Sequence, residues 1–307
     1  MELAQQFNAT WGLARISHAK PNDTTYLYDS SAGSGTCVST DSLSSYVIDT
    51  GIDITHPEFQ GRASFLADYS GEDTSIDGDG HGTHVAGIIG SATWGVAKNT
   101  ILFAVRVLDS SGFGETSGVL AGMQFVINDA KQRQEKGQCP SGVVANMSLG
   151  GEKLQSINDA AAAIVAAGIF LGVAAGNDAT PVDYWSPSSE PSVCTVGATA
   201  ANDTLIEWSN YGPLVDILAP GVDITSTFPG GRIRTYSGTS MAAPHVVGLA
   251  AYMLGLGAPL GGLCETLAAQ ATKGTIDENT LPKGTQNLLA FNGADASRLY
   301  GRRRIRV

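Results

Sequence analysis

The chain has 307 residues, 43% of them hydrophobic, and a formal net charge of −11. It is long enough to bury one large core, and its acidity excludes nucleic acid and anionic membrane as main partners. No apolar run reaches the length of a membrane-spanning helix.

Val47-Ile48-Asp49-Thr50-Gly51 reads as a buried strand and its C-terminal turn. A polar loop rich in Gly and Asp runs from Ser70 to Gly80, and Gly80-His81-Gly82-Thr83-His84-Val85-Ala86-Gly87 then opens a helix around Thr83. Ile101 to Leu108 is a second core strand. Val119, Met123, Val126, Ile127 and Ala130 recur at helical spacing between Glu115 and Lys136, and Gly137 stops that helix. Val143 to Met147 is a strand. Leu154, Ile157, Ala161, Ile164 and Val165 form the next helical face, closed by Gly168, and strands follow at Ile169 to Ala174, Val193 to Val196 and Val215 to Leu218. This alternation predicts an α/β fold with a mostly parallel sheet and helices on both faces. Ligands of such sheets bind outside the carboxyl ends of the strands, where Asp49, Gly150-Gly151 and Asn177 fall. No repeat or linker divides the chain, so one domain is predicted over 1–293. The tail 294–307 carries Arg298, Arg302, Arg303, Arg304 and Arg306 against Asp295. It is read as a disordered appendage of charge +4, which leaves −15 on the rest.

The last long helix begins in Ser237-Gly238-Thr239-Ser240-Met241-Ala242-Ala243-Pro244-His245. A serine there is most often a cap, but its hydroxyl can also be exposed and its N–H aimed at a developing negative charge. Taken singly, Asp49 reads as a turn residue, His81 as polar surface and Asn177 as a turn asparagine before Asp178. Together they suit a different chemistry. Serine is a poor nucleophile until a base takes its proton, an imidazole does this near neutral pH, and a buried carboxylate fixes the imidazole tautomer. The four cysteines, Cys37, Cys139, Cys194 and Cys264, contain no CxxC pair. They fit two disulfides in any of three pairings, or four buried thiols.

Val47-Ile48-Asp49-Thr50-Gly51, Gly80-His81-Gly82-Thr83-His84-Val85-Ala86-Gly87 and Gly238-Thr239-Ser240-Met241-Ala242-Ala243-Pro244-His245 resemble the three active-site motifs of subtilisin-like serine peptidases, in that order. The resemblance implies the subtilisin-like three-layer architecture and a serine endopeptidase. Ser240 would be its nucleophile, His81 its general base and then acid, and Asp49 the carboxylate orienting His81. Ala174-Ala175-Gly176-Asn177 resembles the segment whose asparagine completes the oxyanion hole beside the nucleophile's own N–H. Ser148-Leu149-Gly150-Gly151 and Ala174-Ala175-Gly176 resemble the two walls of the S1 pocket. Small, uncharged walls predict broad specificity with an apolar or aromatic residue before the scissile bond (P1). Gly112-Phe113-Gly114 resembles the segment that pairs with extended substrate, with Phe113 standing where small residues are usual.

Trp11-Gly12-Leu13-Ala14-Arg15-Ile16-Ser17 through Asn287-Leu288-Leu289-Ala290-Phe291-Asn292 is similar to the proteinase K-like branch, typical of secreted fungal enzymes. That implies an extracellular monomer acting on proteins and peptides, with a pro-region as its maturation partner. Met1 to Asn8 lack the basic start and apolar core of a signal peptide, and no pro-region is read. No cofactor is implied for catalysis. The resemblance implies disulfides Cys37–Cys139 and Cys194–Cys264, and a structural Ca²⁺ held by Asp216 with backbone oxygens of Pro191 and Val193. The branch's second, weaker calcium site is expected to be lost, because Ala19 and Thr275 stand where Thr and Asp are usual. Ser39 to Ser45 departs from the pattern as an insertion between Val38 and Tyr46, either bulging out as a loop or drawing Cys37 away from Cys139. A competing reading is a subtilisin-like fold impaired by that insertion and kept for binding. An intact Asp49, His81, Ser240 and Asn177 argues against it.

Overall fold

The computed structural model describes residues 3–30, 44–139 and 141–294. Strands β1 (Leu3–Gln6) and β2 (Tyr26–Asp29) form a small hairpin sheet around helix α1 (Trp11–Arg15). β3 (Ser44–Asp49) and β4 (Ala63–Asp68) lead to α2 (His81–Gly90), then β5 (Ile101–Arg106) and α3 (Thr116–Glu135). β6 (Val143–Met147), β7 (Gly151–Glu152), α4 (Gln155–Ala166), β8 (Phe170–Ala174) and β9 (Trp185–Ser186) follow. The chain continues through β10 (Cys194–Thr199), β11 (Ile217–Pro220), the hairpin β12 (Ile224–Phe228) and β13 (Arg232–Tyr236), and the long α5 (Thr239–Gly255). It closes with α6 (Leu263–Gln270), β14 (Thr272–Lys273) and β15 (Leu288–Leu289).

Nine of these strands make the central sheet, in the order β14-β15-β11-β10-β8-β6-β3-β5-β4, and every neighbouring pair but β14–β15 is parallel. Because side chains alternate across a strand, each strand feeds two cores. Tyr46 and Ile48 of β3 pack with α3 and α4 through Met123, Val126, Ala161 and Ile164, while Val47 faces the opposite layer with Val85 and Ile88 of α2 and Val246 and Leu249 of α5. The result is the predicted three-layer α/β arrangement. Helix α5 is buried around its whole circumference from Met241 to Leu254, as its nearly unbroken apolar sequence demands. No described helix is long and apolar enough to cross a membrane.

Several predicted boundaries shift. Ser44 and Ser45, counted in the insertion, are buried residues of β3, paired with Ile101 and Leu102 on one side and Val143 and Val144 on the other. The strand therefore starts inside the inserted stretch, and pairing with β6 as far as Val47 and with β5 as far as Asp49 fixes its register. The strand read as Ile101 to Leu108 stops at Arg106, and that read as Val215 to Leu218 runs Ile217–Pro220. Cys194 and Cys264 form a disulfide that ties β10 to α6 across 70 residues, a loop for which chain entropy alone suggests about 4 kcal/mol. The pairing of Cys37 with Cys139 lies outside the described residues, as do residues 39–43 and the tail from 295.

Candidate active site

The chain runs from β3 outward to β4 and β5 on one side of it and to β6, β8 and β10 on the other. At such a reversal the crossovers diverge and leave a crevice at the carboxyl ends of the strands. Asp49 is the last residue of β3, and Ser148 follows the last residue of β6.

Asp49 is fully buried, and its Oδ1 accepts from the Thr50 N–H at 2.8 Å and from His81 Nδ1 at 2.7 Å. A carboxylate only accepts, so Nδ1 carries the hydrogen and the neutral ring presents a bare Nε2. His81 opens α2, with 23% of its side chain exposed. Burial works to lower its pKa, but attraction to Asp49, the hydrogen bond to it and the further charges of Asp79 and Asp77 outweigh this and hold it above its ordinary value.

The approach of α2 to β3 is possible because position 82 is glycine: a Cβ there would fall 2.1 Å from the Gly51 carbonyl oxygen. Asp77, in the polar loop that runs from Ser70 to Gly80, anchors this junction. Its Oδ1 accepts from Thr50 Oγ1 and the Gly80 N–H, both at 2.8 Å, and its Oδ2 accepts from the N–H and hydroxyl of Thr83. Thr50 Oγ1 in turn accepts from the Gly82 N–H. One buried carboxylate thus caps the first turn of α2 and ties it to the residue after Asp49. Burial nonetheless raises the Asp77 pKa against these hydrogen bonds.

Ser240 lies in the first turn of α5, and its side chain does not cap the helix. Its hydroxyl donates to the Ser148 carbonyl oxygen at 3.1 Å, and among the described residues it has no hydrogen bond to His81. Catalytic contacts of this kind are often loose without substrate and tighten in its complex. Pro244 lacks the N–H that would bond the Ser240 carbonyl, and Ser148 Oγ supplies the missing donor at 2.8 Å. Asn177 accepts through Oδ1 from both the N–H and the hydroxyl of Thr239, each at 2.9 Å, which turns its amide Nδ2 donors outward. Thr239 Oγ1 also accepts from the Gly176 N–H. The motif's other histidines, His84 and His245, are buried, and burial pushes both down to about 4, so they stay neutral.

Ser240 and Asn177 share a cavity of about 250 Å³ with Ser148, Leu149, Gly150, Ala174, Ala175 and Gly176. The expectation of uncharged walls needs correction. Asp178 and Trp185 also line this cavity, Trp185 being brought in by the pairing of β9 with β7. A second cavity, sharing Ser148 to Gly150 with the first, contains His81, Asp79, Gly112, Phe113, Gly114 and Gly151. The Phe113 N–H and carbonyl are both taken up by Asp109, whereas the Gly112 carbonyl and the Gly114 N–H have no partner among the described residues. The two glycines, and not Phe113, offer the open backbone edge. The Phe113 side chain is 74% exposed and shares the cavity with Leu154.

Asp216, Pro191 and Val193 line a third cavity with the Cys194–Cys264 disulfide and Glu265, at the amino ends of β10 and β11. Asp216 accepts from the Thr195 N–H at 2.8 Å, and burial, with Glu265 adding to it, pushes its pKa up to about 6. An oxygen donor burdened in this way fits a hard dication, which would relieve it. Near the second expected site, the Thr275 hydroxyl is bonded to Arg15, which is paired with Asp203 at 2.7 Å.

Comparison with known proteins places the chain. The profile of the subtilase family matches residues 46–292. The chain is 54% identical to proteinase T of Parengyodontium album over 94% of each chain. It is 51% identical to the cuticle-degrading protease of Metarhizium anisopliae, over 95% of this chain and 72% of that one. Among solved structures, a cold-adapted subtilisin-like serine proteinase superposes with a TM-score of 0.83 at 39% identity, covering 94% of this chain and all of the other.

Proposed function

The chain belongs to the subtilase family of serine peptidases, and we propose that it works as a secreted, monomeric endopeptidase of broad specificity through an acyl-enzyme on Ser240. The observation that carries this reading is the 2.7 Å bond from His81 Nδ1 to buried Asp49, at a cleft continuous with Ser240. Ser240 Oγ attacks the scissile carbonyl carbon and its proton passes to His81 Nε2. Asp49 stabilises the imidazolium that forms. The oxyanion lies between the Ser240 N–H, in the positive first turn of α5, and Asn177 Nδ2. Nε2 then protonates the leaving amine, the C–N bond breaks, and a water activated by the same nitrogen hydrolyses the ester.

The cavity walled by Ser148 to Gly150 and Ala174 to Gly176 takes an apolar or aromatic P1 side chain, and Trp185 adds an aromatic surface there. Substrate pairs as an added strand with Gly112 and Gly114, and Phe113 with Leu154 offers an apolar S4 contact. A structural Ca²⁺ at Asp216, with the carbonyls of Pro191 and Val193, would neutralise that carboxylate and stabilise the fold without entering the reaction. A pro-region acts as the partner in maturation.

The test is covalent. A sulfonyl fluoride or organophosphonate probe labels Ser240 in the folded protein and fails to label the His81→Ala variant. An unlabelled Ser240 in the unaltered protein refutes the assignment and leaves a binding role for the fold.

A further inference from the structure

The two cavities that receive the acyl side of a substrate in this reading are lined by Gly112 to Gly114 and Ser148 to Gly151, and the β12–β13 hairpin lines neither. The hairpin meets the catalytic loop from another direction. A Cβ on Gly80, the residue before His81, would fall 2.3 Å from Phe228 Cε2, and the ring of Tyr236 at the end of β13 packs against that of His84 with centroids 4.8 Å apart. Four residues after Tyr236 the chain reaches Ser240. The hairpin thus approaches the nucleophile from outside those two cavities, through Gly80 and Tyr236.

Arg232 and Arg234 are exposed there, two residues apart and so on one face of β13. Their guanidinium carbons stand 4.9 and 5.4 Å from the centroid of the same Phe228 ring. Stacking on an aromatic face holds a planar guanidinium while leaving its N–H edge free to bond a carboxylate. Arg232 is further held by donation from Nε to the Pro229 carbonyl at 2.8 Å. Neither arginine makes an ion pair among the described residues. Two acids lie nearby and neither pairs with an arginine: Asp53 accepts from Thr55 and from the Gly230 N–H in the hairpin turn, and Asp79 accepts from the His81 N–H. On a chain of net charge −11 these are two exposed guanidinium groups without an ion-pair partner among the described residues, on the strand that leads into Ser240. The acyl-side cavity has the opposite sign, with Asp79 and Glu152 among its lining residues.

We propose that Arg232 and Arg234 form a subsite for acidic side chains on the leaving side of the substrate, favouring peptides with Asp or Glu two or three residues after the scissile bond (P2′ and P3′). This rests on the peptidase reading above and names a substrate class for it. The test uses three peptides of one sequence that carry Asp-Asp, Ala-Ala or Lys-Lys at P2′–P3′. At low ionic strength kcat/KM for the Asp-Asp peptide should exceed that for Lys-Lys by about tenfold, and the ratio should shrink in 0.5 M salt as exposed charges are screened. In the Arg232→Gln/Arg234→Gln variant the ratio should fall to about one. Cleavage of the Ala-Ala peptide with a ratio near one in the unaltered protein, or a ratio the double variant keeps, overturns this inference alone. No cleavage of any of the three peptides overturns the peptidase reading with it.

Discussion

Asp49 and Asp216 sit at strand ends of one sheet, Asp49 at the carboxyl end of β3 and Asp216 just before the amino end of β11. Asp49 accepts two N–H groups, one of them from an imidazole that can become a cation, at the edge where α2 and α5 begin. Asp216 accepts one backbone N–H, faces Glu265 and is driven up to about 6. Parallel strands gather all their carboxyl ends at one edge, and the returning helices start there, with unpaired N–H groups and positive dipole ends. That edge favours developing negative charge. At the amino edge a buried carboxylate has to find its own compensation, and a bound cation is the direct way to supply it. In the proposed reading the same side chain serves chemistry at one edge and holding at the other.

If the edges divide in this way, changes at one should move turnover and changes at the other should move melting. The largest effect is expected from Asn177→Ala, which removes one oxyanion donor. On the scale known for subtilisin, kcat should fall by about 100- to 1000-fold. Its side chain is exposed, so the melting temperature should move by only a few degrees. A melting loss with turnover kept would break the comparison.

The pH profile comes next. The pKa of His81 is raised, and the ring must be neutral to accept the Ser240 proton, so kcat/KM should lose about tenfold per pH unit below a limb lying above 6.5. The sign for stability is opposite. A raised histidine pKa contributes stability that is full below 6.5 and is lost as pH climbs through the folded value. Activity and this part of the stability should therefore cross, and a limb at or below 6.5 would contradict the charge arrangement around the ring.

The smallest effect belongs to the amino edge. A chelator should lower the melting temperature by several degrees at pH 8 and leave initial rates of hydrolysis intact. At pH 5 the shift should be smaller, because Asp216 titrates near 6 and its protonated form binds no cation. Asp216 as a raised acid adds stability below its unfolded value of 3.8 and loses it through 6. Without metal, the melting temperature should then fall as pH rises across that window. An identical melt with and without chelator at pH 8 removes the calcium site.

The sequence by itself determined the layers and singled out Asp49, His81 and Ser240. The short unbroken apolar runs of the strands, the period near four in α3 and α4 and the all-apolar run of α5 are short-range patterns, and each marks what must be buried. Asp49, His81 and Ser240 stood out because each sits at the end of such an element, in a run of residues whose order resembles the family's motifs. What only the tertiary structure decided was who supports them. Asp77 and Thr50 are 27 residues apart, Thr239 and Asn177 are 62 apart, and Ser148 and Ser240 are 92 apart. Read singly, each is an ordinary turn or cap residue. The same holds for the start of β3 inside the insertion, the use of the Phe113 backbone by Asp109, and the meeting of Arg232 and Arg234 on Phe228. These depend on register between strands and on the angle at which helices return, which burial across the whole core sets and no local pattern encodes.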